Sequence, residues 1–254
     1  MRFEVLGCSG GVGASLRTTS FLIDEDILID AGTGATDLTL AQLAKIDHVF
    51  LTHSHLDHVA AIPWIVDTVG SVRKKPLVVH ALDATIRTLK DHIFNWRIWP
   101  DFTRIPTAEQ PYLEFESMMV GAEVVFGDRK IHSIASNHVV PSVGYRVDSG
   151  RSSLIFSGDT SANDALWEVA NDCKNLRYVL IETAFANRDQ AVADASKHLY
   201  PTRLAAELKK FSGNAEIYIT HMKPGEEDAI MAEINAAVLS GRPKRLLQGQ
   251  VFEL

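Results

Sequence analysis

Cysteine is scarce in this chain: the 254 residues include two, Cys8 and Cys173. Two cysteines do not make the disulfide framework of a small secreted domain, so this usage favours a reducing, cytoplasmic environment. The first residues, Met1 to Gly7, follow a strand pattern and lack the long apolar core of a signal peptide, which favours the same compartment.

Basic residues are outnumbered by acidic ones. The chain has 25 Lys and Arg against 32 Asp and Glu, which gives a formal charge of −7. Surfaces that bind DNA or RNA need clustered Lys and Arg. The one short basic run, Arg73 to Lys75, is typical of a solvated helix end. The charge balance therefore disfavours a nucleic-acid partner.

Long apolar runs and flexible linkers are missing as well. No apolar stretch reaches the roughly 20 residues that cross a membrane. No stretch rich in Pro, Ser or Gly divides the chain, which is long enough to bury a full core. We therefore predict that residues 1–254 form a single domain that does not enter a membrane.

Short strand patterns alternate with helical ones along the whole chain. The strand patterns are Phe3–Leu6, Ser20–Ile23, Ile27–Ile29, His48–Leu51, Leu77–Val79, Glu123–Phe126, Ile131–Ala135, Val143–Val147, Ser153–Ser157, Tyr178–Ile181 and Glu216–Ile219. Apolar residues at helical spacing cover Leu38–Leu43, Val59–Val69, Ala84–Phe94, Asn163–Asn171, Pro201–Phe211 and Glu226–Leu239. This mixture predicts an α/β (α+β) fold in which two mixed sheets pack together and helices cover their outer faces.

A dense group of metal-binding side chains lies in the segment from Thr52 to Ala60, Thr-His-Ser-His-Leu-Asp-His-Val-Ala. His53 and His55 are two positions apart, so an extended or tightly turned backbone can direct both at one ion. Asp57 and His58 begin a predicted helix and are far enough away to serve a second ion. Such ligands suit Zn²⁺, Mn²⁺ or Fe, whereas a calcium loop is nearly all oxygen. A loop of solvated histidines is the alternative, and this spacing disfavours it.

Further polar side chains follow other predicted strands, where rigid elements can hold functional loops at one edge of the sheets. A histidine at a strand end is, by itself, more often structural than a ligand, but the complete pattern reverses that expectation. Gly158 allows the backbone to turn before Asp159, which can bridge two ions. We assign two divalent ions, which can be Zn²⁺, Mn²⁺ or Fe. The predicted ligands are His53, His55 and His138 for one ion, Asp57, His58 and His221 for the other, and Asp159 for both.

These motifs resemble, in order and in placement at strand ends, those of the metallo-β-lactamase superfamily. The matching segments are His53-Ser-His55-Leu-Asp57-His58, His138, Ser-Gly-Asp159-Thr and Thr-His221. The resemblance covers essentially the whole chain and implies a four-layer αββα sandwich and a two-metal hydrolase, usually with Zn²⁺. Because this fold hosts many hydrolases and some oxidoreductases, other residues must indicate the substrate.

The charge of the predicted site favours a phosphodiester. Two divalent ions bring four positive charges, and Asp57, Asp159 and a bridging hydroxide remove three, which leaves roughly +1 with neutral histidines. A phosphodiester monoanion balances that charge, and two metals can generate hydroxide near neutral pH and hold both non-bridging oxygens. The charge of the site does not by itself exclude hydrolysis of β-lactams or thioesters.

A second motif narrows the branch of the superfamily. Leu180-Ile-Glu182-Thr-Ala-Phe, with Ser196-Lys-His198-Leu after it, resembles a segment of the RNase Z transfer-RNA endonucleases and of the class II 3′,5′-cyclic nucleotide phosphodiesterases. The resemblance implies that Glu182 orients His198, which assists the leaving oxygen; with Asp57 these are the predicted catalytic residues. A carboxylate beside His198 would raise its pKa and keep it protonated as a general acid. A surface glutamate and a helix-capping histidine are the alternative.

The two enzyme groups differ in features outside the metal motifs. RNase Z enzymes usually carry a long glycine-rich arm that grips transfer RNA, and no such insertion is recognisable here. The segment from His53 to Ile62 follows the class II signature, except that Ala61 replaces the usual glycine, and Asp91–Phe102 and His221-Met-Lys-Pro-Gly225 also resemble that family. We predict hydrolysis of a small cyclic nucleotide, with a 3′,5′-cyclic mononucleotide favoured, by metal-hydroxide attack on phosphorus. The alternatives are an RNase Z-like transfer-RNA 3′-end endonuclease and a metal-containing redox protein of the same fold.

Two further segments carry weaker signals. Aromatic residues between Phe94 and Phe102 suggest a wall on which a purine stacks while an arginine meets phosphate. The predicted substrate contacts are Trp96, Arg97, Trp99 and Phe102, and the alternative is packing in the core or in a homodimer interface. The run Gly7–Gly13 departs from a P-loop pattern and predicts a tight loop near the metal edge.

Overall fold

The computed structural model describes residues 1–238 and 241–254, and these residues form two sheets flanked by helices. The strands are β1 Arg2–Gly7, β2 Ser20–Ile23, β3 Ile27–Ala31, β4 His48–Phe50, β5 Leu77–Leu82, β6 Leu113–Met118, β7 Glu123–Phe126, β8 Arg129–Ala135, β9 Val143–Asp148, β10 Ser153–Phe156, β11 Leu176–Glu182, β12 Glu216–Thr220, β13 Lys244–Arg245 and β14 Val251–Glu253. The helices are α1 Leu40–Leu43, α2 Leu56–Val59, α3 Ala61–Val69, α4 Asp83–His92, α5 Asp164–Asp172, α6 Gln190–Ser196, α7 Pro201–Leu208 and α8 Glu227–Ala237, with 3-10 turns at Thr33–Asp37, Gly70–Val72 and Asn187–Asp189.

Each sheet is mixed. The first has the strand order β14-β1-β2-β3-β4-β5-β6, and the second has the order β13-β12-β11-β10-β9-β8-β7. The pairs from β3 to β6 and from β10 to β13 are parallel, whereas the remaining pairs are antiparallel. The carboxyl ends of β4, β10, β11 and β12 therefore lie at the edges where the site forms.

Alternate side chains along the strands enter different layers of the core, as the period of a pleated strand requires. Leu28 packs with the helices of the first sheet, whereas its neighbour Ile29 packs between the sheets. Val179 packs with the helices of the second sheet, and Leu180 again lies between the sheets. This arrangement confirms the predicted αββα sandwich. No helix among the described residues is long and apolar enough to cross a membrane.

Several predicted boundaries were wrong for identifiable reasons. The predicted helix Val59–Val69 begins at Leu56 and is interrupted at Ala60, because Pro63 has no N–H to donate to the carbonyl of Val59. β6 was not predicted, since this edge strand, Leu-Glu-Phe-Glu-Ser-Met, is partly exposed and weakly alternating. β13, β14 and α6 were also missed. The helix predicted over Glu226–Leu239 is observed as α8, and Leu239 lies outside the described residues.

Hydrogen bonds from β9 join the sheets next to the site. The hydroxyl of Tyr145 on β9 donates to the carbonyl of Leu51 at 2.7 Å, and the backbone N–H of Val143 donates to the carbonyl of Thr52 at 3.0 Å. Tyr145 is fully buried. Because Leu51 and Thr52 immediately precede His53, these bonds hold the start of the histidine-rich segment against the second sheet.

We expect Tyr145→Phe to lower the free energy of unfolding by about 1–3 kcal/mol, because the carbonyl of Leu51 stays buried and loses its partner. Urea denaturation followed by circular dichroism measures the change. Tyr178→Phe is the matched control, since that ring packs in the same core and its hydroxyl forms no hydrogen bond within the described chain. Equal stability of Tyr145→Phe and wild type would contradict the assignment.

Candidate metal centre

Connections that follow several strands bring the polar side chains to one edge. His53, Asp159 and His221 follow β4, β10 and β12, and Glu182 is the last residue of β11. Gly158 has a φ of +61° and leaves no room for a Cβ, which would lie 2.5 Å from the carbonyl of Val143. The glycine therefore allows the sharp turn that places Asp159 in the cluster.

The first group of ligand atoms comes from His53, His55, His138 and Asp159, one from each, all within 4.8 Å of one another. Nδ1 of His55 lies 3.1 Å from Nε2 of His138. Nε2 of His53 lies 3.6 Å from Oδ2 of Asp159. These are the residues predicted for the first ion, and the fold brings all of them together.

The second group consists of Asp57, His58 and His221. Oδ2 of Asp57 lies 3.8 Å from Nε2 of His58 and 3.7 Å from Nε2 of His221. Oδ2 of Asp159 lies 3.3 Å from Nε2 of His58 and 3.4 Å from Nε2 of His221. Asp159 therefore contacts both groups, as a bridging carboxylate would.

Neighbouring polar groups fix the orientation of the imidazole rings. Nδ1 of His58 donates to the carboxylate of Asp30 at 2.7 Å, and Nδ1 of His53 lies 2.9 Å from Oγ1 of Thr52. Thr52 itself donates to Asp30 through both its N–H and its hydroxyl, each at 2.8 Å. Nδ1 of His221 lies 3.3 Å from Oγ1 of Thr19. These contacts leave Nε2 of each ring directed at the centre, which is how supporting groups orient metal ligands.

Asp30 is a functional residue that the sequence reasoning missed. It is completely buried at the end of β3, where its φ is 55°. A carboxylate inside the apolar strand Ile-Leu-Ile-Asp-Ala is itself a signal, since Asp is almost never fully buried without a partner. Burial raises the pKa of Asp30, although His58 and Thr52 oppose that effect.

The residues fit divalent ions. Nε2 of His53, Nε2 of His58 and Oδ1 of Asp159 are buried and have no hydrogen-bond partner, which is unusual for buried polar atoms. Ligand atoms around a four-coordinate Zn²⁺ lie roughly 3.4 Å apart, given bonds of about 2.1 Å. The distances of 3.3 to 3.6 Å from Oδ2 of Asp159 to the three Nε2 atoms agree with that spacing.

The protonation of the cluster also suits cations. Burial lowers the pKa of His138 to about 4 and of His221 to about 3, so both rings keep a free lone pair at neutral pH. Burial alone would raise the pKa of Asp159, but His221 and His58 hold it well below its usual range. Burial alone would lower the pKa of His58, yet Asp159 and Asp30 raise it well above the usual value. A positive charge is therefore favoured between these carboxylates, and a divalent cation supplies one.

Glu182 and His198 form a buried pair beside the cluster. Oε1 of Glu182 lies 2.7 Å from Nδ1 of His198 and accepts from the N–H of Thr160 at 2.9 Å. Oε2 accepts from the N–H groups of Ala184 and Leu199 at 3.1 and 3.3 Å. Burial alone would lower the pKa of His198, but Glu182 raises it, which favours the protonated ring. The pair is therefore a rigid structural unit and not a surface glutamate with a separate capping histidine.

The ring of His198 stacks on His221, with centroids 5.4 Å apart, and lies 5.0 Å from His138. His198 also offers a nitrogen within 4.8 Å of ligand atoms of Asp159 and His221. It is thus close enough to contact a substrate held at the cluster, and close enough to be tested as a further ligand.

Lys197 connects the ligands to this pair through an unusual backbone conformation. It ends α6 with φ 54° and ψ 52°, in the left-handed region. Its carbonyl accepts from Nδ1 of His138 at 3.2 Å, and its ammonium donates to the carbonyl of His138 at 3.2 Å. The same turn delivers the next residue, His198, to the cluster. One left-handed residue therefore positions both a predicted ligand and the predicted acid.

The predicted substrate wall lies elsewhere. α4 begins directly after the carboxyl end of β5 and returns for ten residues, about 15 Å, away from the metal edge. The carbonyl of Phe102 accepts from the N–H of Leu113, the first residue of β6, which is parallel to β5. Phe102 is buried in the core and Trp99 packs against it, whereas Trp96 and Arg97 are exposed. The expectation that Trp96, Arg97, Trp99 and Phe102 contact substrate is therefore corrected: this segment covers the opposite end of the first sheet.

We expect Lys197→Val to weaken metal binding by about 10-fold or more relative to Lys197→Gly. Both changes remove the ammonium, but only the β-branched residue resists the left-handed conformation, at a cost of about 1–3 kcal/mol, and supports of metal ligands typically contribute 10–100-fold in affinity. Competition with a chromophoric chelator measures the affinity, and elemental analysis is expected to give two ions per wild-type chain. Equal affinities for the two variants would refute the backbone role.

Comparison with known proteins agrees with this geometry. The family model of the Beta-lactamase superfamily domain matches residues 25–236. A probable 3′,5′-cyclic-nucleotide phosphodiesterase from Yersinia pestis is 27% identical over 279 residues, which cover 87% of this chain and 78% of that protein. A ribonuclease Z from Methanopyrus kandleri is 24% identical over 277 residues, with 92% and 90% of the two chains covered.

The crystal structure of unliganded yeast PDE1 superposes with a TM-score of 0.82 at 17% identity and covers 100% of this chain and 99% of that one. The fold and the superfamily predicted from the motifs are thereby confirmed, and the names of the relatives agree with the predicted class of metal-dependent phosphoric diester hydrolases. The chain belongs to the family defined by the Beta-lactamase superfamily domain.

Proposed function

We propose that this protein is a dinuclear metal-dependent phosphodiesterase that hydrolyses a small cyclic nucleotide, a 3′,5′-cyclic mononucleotide in the first place. The observation that carries the proposal is the buried pair of Glu182 and His198 beside two groups of ligand atoms that share Asp159. Ligands alone suit many hydrolases of this fold, whereas a positioned acid suits a reaction with a poor leaving group.

The ligand assignment follows the two groups. His53, His55 and His138 would hold one ion, Asp57, His58 and His221 the other, and Asp159 both. Bound there, divalent ions such as Zn²⁺ supply Lewis acidity to the phosphoryl oxygens and a nucleophile from water near neutral pH. Two such ions carry more charge than Asp57 and Asp159 neutralise, which favours an anionic substrate.

His198 is assigned the transfer of a proton to the leaving oxygen. Glu182 occupies Nδ1 of the ring, so Nε2 is the atom available to donate. The carboxylate of Glu182 is itself fixed by three backbone N–H groups, and the ring can therefore rotate little. Glu182 and its backbone donors therefore keep His198 in one orientation, and the carboxylate favours the charged form of the ring.

Charge and loop length support a small substrate. The chain carries a formal charge of −7, whereas binding of a large polyanion relies on clustered basic residues. Three connections at the metal edge are short: residues 136–142 between β8 and β9, 157–163 before α5, and 221–226 before α8. Similarity to the probable 3′,5′-cyclic-nucleotide phosphodiesterase of Yersinia pestis adds support.

An RNase Z-like transfer-RNA endonuclease is the second candidate. It is favoured by relatives named ribonuclease Z, among them the one from Methanopyrus kandleri. The same metal ligands and the same acid would serve that reaction, because both substrates are phosphodiesters with an alkoxide leaving group. The choice depends on what binds around the cluster.

The deciding experiment is an assay of the metal-loaded protein against cyclic mononucleotides, cyclic dinucleotides and a transfer-RNA precursor. We expect turnover of a 3′,5′-cyclic mononucleotide, loss of that activity after chelation, and an uncut precursor. Asp159→Asn serves as the inactive control for contaminating enzymes. Endonucleolytic cleavage of the precursor without turnover of any cyclic nucleotide would replace the first candidate by the second.

A variant of the acid tests the mechanism. We expect His198→Ala to lose about 10²–10⁴-fold in rate on a cyclic nucleotide, because an alkoxide is a poor leaving group. The loss on a nitrophenyl phosphodiester should be much smaller, since nitrophenolate leaves without protonation. Both ions should stay bound, and Glu182→Gln should show the same selectivity in milder form. Equal losses on both substrates would indicate phosphate binding by His198, and loss of an ion would make it a ligand.

A further inference from the structure

Phe185 borders the proposed acid. It follows the end of β11 by three residues, is partly exposed, and places its ring centroid 5.7 Å from that of His198 at an angle of 63°. The other aromatic neighbours of His198 in the described chain are the predicted ligands His138 and His221. Among these aromatic neighbours, Phe185 is therefore the one that is not a predicted metal ligand.

Lys223 lies over the same ring. Its Nζ is 5.6 Å from the centroid of Phe185 and donates to the carbonyl of Gly10 at 2.7 Å. Lys223 forms no ion pair with a carboxylate of residues 1–238 or 241–254, in contrast to Lys210 and Lys244, which do. The neighbours of this ammonium within the described chain are a neutral carbonyl, an aromatic face and the ring of His198, so it can donate a hydrogen bond to a polar or anionic group of a ligand.

The run Gly7–Gly13 contains the carbonyl of Gly10 that holds this lysine. As predicted, the run forms a tight loop at the metal edge. The N–H of Gly10 donates to the carbonyl of Met222 at 2.9 Å. A Cβ at Gly10 would lie 2.3 Å from the carbonyl of His221. The loop therefore packs directly on the strand end that carries both His221 and Lys223, and its glycines allow that close approach.

We propose that Phe185 and Lys223, which border His198, form a subsite for the nucleobase of the substrate. This inference rests on the proposed phosphodiesterase function. A base has an aromatic face that stacks on Phe185 and edge nitrogens or carbonyls that accept from the ammonium of Lys223. The subsite takes the place of the wall expected at Trp96 to Phe102.

The geometry favours a base over a second phosphate. The ammonium sits above the ring of Phe185, so a ligand that meets one of the two groups also borders the other. A phosphate would gain from the charge but would desolvate against an apolar ring, whereas a flat heterocycle uses both features. A small cyclic nucleotide and the end of an RNA chain both present such a heterocycle.

The test is calorimetric titration of the metal-loaded protein, which needs no turnover. The probes are adenosine 5′-monophosphate, guanosine 5′-monophosphate and ribose 5-phosphate, which differ in the presence and type of base. We expect at least one nucleotide to bind about 10-fold or more tightly than ribose 5-phosphate. Phe185→Leu should remove most of that difference, Phe185→Tyr should keep it, and Lys223→Met should reduce it.

Trp96→Leu is the matched control, because this exposed aromatic residue lies at the opposite end of the first sheet and should leave every affinity unchanged. Metal content and melting temperature establish that each variant is folded. Equal affinities of wild type for the nucleotides and ribose 5-phosphate, or a loss in Phe185→Leu that is the same for all three probes, would overturn the subsite.

The titration can fail or succeed independently of the activity assay that tests the proposed function. A base-dependent affinity that requires Phe185, in a protein that hydrolyses no cyclic nucleotide, would keep the subsite and refute the substrate. A single-stranded RNA trinucleotide is a further probe. If Phe185→Leu lowers the affinity for this probe alone, the subsite binds the end of an RNA chain. Turnover of a cyclic nucleotide with no effect of Phe185→Leu on the affinity of either nucleotide would refute the subsite and keep the function.

Discussion

The buried carboxylate of Asp159 is the constraint around which the site is arranged. A carboxylate that is 2% exposed must be compensated, and Nε2 atoms of three histidines surround one of its oxygens at 3.3 to 3.6 Å. Those rings are in turn held by Thr52, Asp30 and Thr19, so the buried charge of Asp159 also constrains residues that do not contact it. Divalent cations satisfy it more completely than protons, because they neutralise the carboxylates and occupy the unpartnered ring nitrogens together.

The cluster also depends on the contact between the two sheets. His53 belongs to the first sheet, whereas Asp159 and His221 belong to the second. Bonds from Tyr145 to Leu51, from Val143 to Thr52 and from His221 to Cys8 join the sheets beside these residues. Packing between the sheets therefore sets the distances between ligands, and the stability of the fold and the geometry of the site are linked.

Glu182 performs a related task for the acid. It is fully buried, and its two oxygens accept hydrogen bonds from the loop after β10, from its own strand end and from the start of the segment before α7. Burial raises the pKa of Glu182, His198 and the backbone donors oppose that effect, and the same hydrogen bonds hold the carboxylate rigidly. Because Glu182 binds His198, these three segments together fix the position of the His198 ring. Lys197 adds a fourth constraint through its left-handed conformation, and Phe185 borders the ring of His198 beneath the ammonium of Lys223.

The sequence by itself predicted the four-layer fold and placed the histidines and aspartates in groups that the structure brings together, because strand periodicity, placement at strand ends and the spacing from His53 to His58 can be recognised in the sequence. It did not determine Asp30, Lys197 or Phe185, whose roles arise from segments distant in the chain. It also directed attention to the aromatic residues near Trp99, which share composition with a base-binding wall but lie at the wrong end of the sheet. Only the tertiary structure decided these points. The direction in which α4 returns and the contact of the loop after Gly7 with the end of β12 depend on packing between layers, which no local pattern encodes.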